Sequence, residues 1–150
     1  MSNSYAADLA EAGLSIGSIR LRPEKPFRWA SGYYMPIYND NRILLSDWKY
    51  RSMVASGFEE IIRSRKLQFD VVAGTATAGI PHATTLADRL RQPLVYVRSS
   101  SKGHGLQNRI EGVTAPAELA GKQVLLVEDL ISTGGSSIEA VHALREAGAK

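Results

Sequence analysis

The chain has 150 residues and no cysteine. That single absence excludes disulfides, thiolate metal sites and cysteine nucleophiles together, while leaving the compartment open. Long apolar runs are missing too: nothing approaches the roughly 18 residues a membrane-spanning helix needs. The first 17 residues carry Asp8 and Glu11 and no extended apolar stretch, so no secretory signal is expected and a cytoplasmic protein is the default. Neither sign of charge dominates. Eighteen Lys and Arg stand against fifteen Asp and Glu, a net charge of +3, and the basic residues are scattered. That balance suits anionic small molecules and gives no reason to expect nucleic acid or membrane as a partner. Internal repeats and low-complexity segments are absent. The length fits one domain with a real core, at about 100 to 200 residues per domain.

The most informative stretch is Val124-Leu125-Leu126-Val127-Glu128-Asp129-Leu130-Ile131-Ser132-Thr133-Gly134-Gly135-Ser136-Ser137. Four apolar residues suggest a parallel strand covered on both faces. The acids follow at its carboxyl end, where ligands collect in open α/β sheets. Residues 132–137 are all small and include two glycines, so the backbone can curl round an anion and aim successive N–H groups at it. Ile138, Val141, Leu144 and Ala147 are spaced for one face of a helix whose positive end then meets the same anion. Glu128 and Asp129 would repel a bare phosphate. They accept hydrogen bonds from sugar hydroxyls and can hold a hydrated divalent cation, so the combination fits a phosphorylated sugar. No lysine lies between Gln123 and Arg145, which excludes a Walker A loop, and adjacent glycines do not make a dinucleotide fingerprint. Taken alone, Ser136 or Ser137 capping an ordinary helix would explain the small residues equally well.

Along the chain, residues 4–13 read as a helix, 19–22 as a strand, and Ser46 as the cap of a longer helix buried through Val54, Phe58, Ile61 and Ile62, with Glu59, Glu60 and Arg63 in water. Strands at 69–73, 94–97 and 124–127 alternate with helices at 81–90 and after Ser137, which implies an α/β fold with a largely parallel, doubly wound sheet. His82 and His142 fall on helices as surface or packing residues. The polar interval from Ser99 to Gly112 is long for a compact domain and is expected to be functional or disordered. Gly148 reads as a helix C-cap with only two residues after it, so the strand due next in an α/β succession is absent.

The acid pair and small-residue loop resemble the ribosyl-phosphate motif of type I phosphoribosyltransferases, most closely the orotate phosphoribosyltransferases. The resemblance implies an N-terminal hood over about residues 1–45, a core over about 46–150, and further C-terminal residues that this chain lacks. It implies that phosphoribosyl diphosphate is held by Glu128, Asp129, Leu130, Ile131, Ser132, Thr133, Gly134, Gly135 and Ser136, with the acids facing the ribose directly or through water on Mg2+, and no direct metal ligand. Thr75, Ala76 and Thr77, in a second small-residue loop ahead of Pro81, are similar to the family's diphosphate loop. The run from Tyr96 to Gly105 resembles the orotate enzymes' catalytic lid, which makes Arg98, Lys102 and His104 catalytic and donor-binding. Phe27, Ser31 and Gly32 resemble the hood over orotate, and Ser132 also reaches the base. Some relatives carry lysine where Ala30, Ala78 and Ser99 stand. The implied reaction makes orotidine 5′-phosphate from orotate, in a homodimer that shares its lid between subunits. A purine-base transferase would need a different hood and lid, and a donor-sensing regulator would need a DNA-binding element; neither is evident.

Overall fold

The computed structural model describes residues 4–29, 31–99 and 109–150. Lys102, His104 and Ala30 lie outside the described residues. The chain resolves into two compact units, Met1–Gly57 and Phe58–Lys150.

In the first unit, α1 (Ser4–Ser15) leads into β1 (Ile19–Leu21), which pairs antiparallel with β4 (Ile37–Asn39). Between them, β2 (Phe27–Arg28) and β3 (Tyr34–Met35) form a hairpin. Its turn is closed by Trp29 N–H donating to the Tyr33 carbonyl at 2.8 Å, and the Trp29 indole donates to the Ile37 carbonyl, also at 2.8 Å. A 3-10 turn (Asn41–Ser46) follows and contributes the buried Leu44. The helix α2 (Trp48–Ser64) is capped by Asp47, whose carboxylate accepts from the Lys49 N–H at 2.9 Å. Ser46, the expected cap, ends the 3-10 turn instead; Asp47 is the residue with extended backbone placed to receive an N2 amide.

The second unit holds a four-stranded sheet, β7-β6-β5-β8. Here β5 is Val71–Thr75, β6 is Leu94–Val97, β7 is Ile110–Glu111 and β8 is Val124–Val127. Strands β6 and β8 run parallel to β5, and β7 is antiparallel to β6, with Val97 opposite Ile110. Strand alternation divides the core. Val71, Ala73, Val95 and Val97 pack with Ala140, Ala143 and Leu144 of α4 (Gly135–Glu146). Val72 and Val127 pack with Ala83, Leu86 and Ala87 of α3 (Gly79–Leu90) on the other face, joined by Phe58, Ile62 and Leu125. Helices on both faces make the sheet doubly wound, as the alternation of elements implied.

Several expectations shift. β5 starts at Val71, two residues later than expected, because Asp70 turns its carboxylate to the Gln123 N–H at 2.9 Å and Thr75 extends the ladder opposite Val97. Pro81 is the third residue of α3, still in the first turn where its missing N–H costs nothing. Ile61 is 45% exposed and Ile138 is 56% exposed, so neither lies on its helix's buried face. Glu59 and Glu60 are half-buried, Glu59 pairing with Arg89 at 2.6 Å. α4 buries Ala140, Ala143 and Leu144, because two alanines let the helix lie close on the sheet where a larger side chain would hold it off. His82 is buried and His142 exposed. After α4, Gly148 has φ +88° and the Ala149 N–H returns to the Leu144 carbonyl at 3.1 Å, the C-cap its position suggested.

Candidate active site

The carboxyl ends of β5, β6 and β8 bring three of the expected site segments together. β8 delivers Glu128, half-buried, at the foot of the 129–134 loop. Thr75, the last residue of β5 and 3% exposed, donates its hydroxyl to Glu128 Oε1 at 2.5 Å. The Asp129 N–H reaches the same oxygen at 3.1 Å. Ser136 and Ser137 hydroxyls donate to Oε2 at 3.3 and 3.2 Å. A carboxylate offers about four lone-pair sites, so Glu128 is saturated from both sides. Two of its donors come from the first turn of α4, where the helix dipole also favours a negative charge.

The loop itself is open. Leu130, Ile131, Ser132, Thr133 and Gly135 are exposed, and Gly134 precedes α4 with φ +85° and no side-chain cap. A β-carbon at Gly134 would strain that left-handed turn, which starts the helix and leaves its first N–H groups facing outward. The small residues therefore do not cap α4 in the ordinary sense: Ser136 and Ser137 turn to Glu128.

The second loop, Ala76 to Ala78, connects β5 to α3, and its Ala76–Thr77 peptide is cis. Its Ala76 N–H donates to the Val97 carbonyl at 2.8 Å, which ties this loop to the end of β6. Close packing lets α3 begin here: a β-carbon on Gly79 would overlap the Thr75 hydroxyl and lie 2.7 Å from the Val127 carbonyl oxygen.

Arg98 follows β6 and pairs with Glu111 at 3.4 Å; its N–H donates to the Arg109 carbonyl at 2.8 Å. Arg109 in turn donates through Nε to the Arg98 carbonyl at 3.3 Å and pairs with Glu139 of α4 at 3.5 Å. Thr75, Arg98, Arg109, Ser136 and Glu139 are among the walls of a cleft of about 30 Å³. Ligand pockets usually measure roughly 300 to 1,000 Å³, so this cleft by itself is smaller than a whole substrate. Arg109 was visible in the sequence only as one cation among several. Glu139 gave no signal there, and Ser137 read as the end of the small-residue loop or as a possible cap.

In the first unit, Phe27 lies 5.5 Å from Tyr38 between ring centroids, and the Arg20 guanidinium sits 4.8 Å over Tyr38. Ser31 and Gly32 are exposed at the hairpin turn, Gly32 having φ +88°. Among the described residues no group of three or more His, Asp or Glu side chains is arranged to hold a metal, and no helix is long and apolar enough to cross a membrane.

Burial without an opposing charge lowers the pKa of His82 below its ordinary 6.5. Asp40 is lowered first by the hydrogen bond from Arg42, and Glu118 first by the hydrogen bond from Thr114.

Comparison with known proteins places this geometry. The phosphoribosyl transferase domain family matches residues 50–150. Orotate phosphoribosyltransferase of Halalkalibacterium halodurans is 54% identical over 141 residues, which is 94% of this chain and 65% of that protein. The chain thus spans just under two thirds of the length of such relatives. The crystal structure of orotate phosphoribosyltransferase from Aeropyrum pernix superposes with a TM-score of 0.78 at 34% identity, over 95% of this chain and 76% of that one. Orotate phosphoribosyltransferase of Mycobacterium tuberculosis, solved in complex with 5-phospho-α-D-ribosyl 1-diphosphate, gives a TM-score of 0.67 at 26% identity, over 97% and 77% of the two chains. The strand, acid, small-residue loop and helix of residues 124–146 lie inside the matched region, and the chain belongs to the phosphoribosyl transferase family.

Proposed function

We propose that this chain works as an orotate phosphoribosyltransferase, joining orotate to 5-phosphoribosyl 1-diphosphate to give orotidine 5′-phosphate and diphosphate in UMP biosynthesis. The observation that carries the reading is the loop after β8, with Glu128 at its foot and α4 behind it, in a chain 54% identical to an orotate enzyme. The donor complex of the Mycobacterium tuberculosis relative supports the choice of donor.

On this reading Ser132, Thr133, Gly134, Gly135 and Ser136 offer N–H groups and hydroxyls to the 5-phosphate, with Leu130 and Ile131 carrying the chain round it. Glu128 and Asp129 accept from the ribose hydroxyls. Ala76 and Thr77, in the loop that Thr75 leads into, hold the diphosphate, and Arg98, Lys102 and His104 neutralise it as it leaves. Phe27, Ser31 and Gly32 grip orotate, with Ser132 at the base edge.

The difficult step is at the sugar. Departure of diphosphate leaves positive charge on the ribosyl carbon, as in other oxocarbenium-like transfers. Orotate is anionic at neutral pH, so its ring nitrogen needs no strong base; the chain's task is to align acceptor and donor and to exclude water. With both Glu128 oxygens taken by donors from the chain, the site suits a hydrated ion held mainly by the donor's own oxygens, as Mg2+ prefers. When bound, Mg2+ supplies charge neutralisation at the leaving diphosphate. A cytoplasmic homodimer, with the lid at residues 96–105 of one subunit serving the other, completes the proposal.

The test is the ultraviolet absorbance of orotate on adding donor and Mg2+. Absorbance should fall in step with diphosphate release. No change with folded protein, or faster turnover of a purine base, would sink the assignment.

A further inference from the structure

We propose that Thr75 is a positioning residue: its hydroxyl fixes the Glu128 carboxylate for the ribose hydroxyls of the donor and does not itself bind the diphosphate. The inference rests on the proposed function and deepens it.

The side chain of Thr75 has one proton to give. Two acceptors are in range, Glu128 Oε1 at 2.5 Å and the Val127 carbonyl at 3.4 Å. The shorter contact is to the charged acceptor, and charge-assisted hydrogen bonds are the stronger kind. The residue is 3% exposed, so the hydroxyl is not offered to the solvent side of the loop. Its backbone is equally fixed, paired with Val97 on β6 while the neighbouring Gly74 pairs with Val127 on β8. β-branching restricts χ1 further. Thr75 is therefore a rigid donor at the end of the central strand.

Glu128 has the opposite character. Its side chain has three rotatable bonds, and of its four donors three belong to residues 129–137: the Asp129 N–H and the Ser136 and Ser137 hydroxyls. Of these, the Ser136 hydroxyl is one that the proposed function directs at phosphate. A serine hydroxyl that turns to phosphate is lost to the carboxylate. Thr75 is the donor that comes from a different strand, 53 residues away, and that has no other task. When Ser136 turns, Thr75 still holds Oε1 beside the Asp129 N–H, and Oε2 has a place for a new donor. The ribose hydroxyls are donors of the right kind. Without Thr75 the carboxylate would follow the serines or swing to water.

The closing experiment uses isothermal titration of the whole chain with two probes, ribose 5-phosphate and inorganic phosphate. Thr75→Val keeps shape and removes the hydroxyl; it should weaken ribose 5-phosphate about tenfold, the scale of one hydrogen bond to a charged group, and leave inorganic phosphate within about twofold. Thr75→Ser should restore most of the loss. On a Glu128→Ala background, Thr75→Val should cost nothing further, because its role runs through that carboxylate. Thr75→Ala is read in the same way if thermal melting shows that the valine variant does not fold. Unchanged ribose 5-phosphate affinity in Thr75→Val, an equal loss for inorganic phosphate, or a second tenfold loss on the Glu128→Ala background would each overturn the inference. A wild-type chain with no affinity for ribose 5-phosphate would overturn the proposed function and this inference with it.

Discussion

Adding one carbon at Gly79 is the sharpest perturbation this fold offers. Gly79 opens α3 beneath the donor loops, and its missing side chain is occupied by neighbours: the Thr75 hydroxyl, the Val127 carbonyl oxygen at 2.7 Å and Glu128 Cα at 3.5 Å. Ordinary contacts begin at 3.4 Å, so the Val127 carbonyl or the helix must give by 0.7 Å, the difference between 3.4 and 2.7. Neither is free to move. Val127 is paired with Gly74 across the sheet, and α3 is seated through Ala83, Leu86 and Ala87, each at most 2% exposed. Overpacking of this kind costs about 1 to 3 kcal/mol. The gain in helix propensity from glycine to alanine returns about 0.5 to 1 kcal/mol. The balance is a net loss of at most about 2.5 kcal/mol and about 1 kcal/mol at mid-range, which for a chain of this length lowers Tm by roughly 2 to 4 °C at mid-range.

Calorimetric melting of Gly79→Ala beside Gly135→Ala is the assay. A β-carbon at Gly135 meets nothing within 4 Å, so that variant should melt within about a degree or two of the wild type. The Gly79 clash also presses on the Thr75 hydroxyl, so ribose 5-phosphate affinity should fall along with Tm. A Gly79→Ala protein that melts at or above the wild-type temperature would refute the close approach of α3 to β5 and β8.

Three further outcomes are expected, two from the structure and one from the proposed function. His82 has a depressed pKa, so below about pH 6.5 the unfolded chain takes up a proton that the folded chain refuses, and stability falls as the pH drops. Asp40 and Glu118, both lowered, lose their contributions only below their ordinary 3.8 and 4.5, so His82→Gln should flatten the Tm profile between about pH 7 and 5; an unchanged slope would exclude His82 as its source. Leu86→Ala should cost about 2 to 5 kcal/mol in urea unfolding and Ile61→Ala less than about 0.5, whereas comparable losses would mean that α2 buries the face its apolar spacing suggested. Lys102→Ala should lower turnover more than donor affinity, and unchanged steady-state turnover would remove Lys102 from the proposed chemistry.

The parts of this fold legible in the sequence are those whose residues answer to local rules. Strands 94–97 and 124–127 were readable to the residue because their four-residue apolar runs serve a sheet covered on both faces. The turn that begins at Ser132 was legible from its small residues, but the helix starts at Gly135, so residues 135–137, read as loop, form its first turn. What misled was alanine. Ala55, Ala83, Ala87, Ala140 and Ala143 are nearly inaccessible and set the close helix–sheet distances, yet a hydrophobic stripe is drawn by larger residues such as Ile61 and Ile138, which lie outside the buried faces. β7 was illegible for another reason: two residues, Ile110 and Glu111, carry no periodicity, and only their pairing with Tyr96 and Val97 makes them a strand. The hydrogen bond between Thr75 and Glu128 joins positions that no spacing rule connects.

That bond alters how the acids beside an anion site should be understood. In the sequence, Glu128 needed sugar hydroxyls to justify its place near a phosphate. In the structure it already acts as an anion at the start of α4, accepting from Ser136 and Ser137 in the first turn. On the proposed function an incoming phosphate, directed at Ser136, competes with Glu128 for hydroxyls of this turn. Bare phosphate would win those donors only by leaving a half-buried carboxylate short of partners, a cost of the order of a lost charged hydrogen bond, about 1 to 3 kcal/mol. A phosphorylated ribose brings replacement donors with it, on the same molecule and at a fixed distance from the phosphate. Selectivity for the sugar phosphate over free phosphate then comes from the acid that seemed out of place, provided that Thr75 keeps the carboxylate where those hydroxyls arrive.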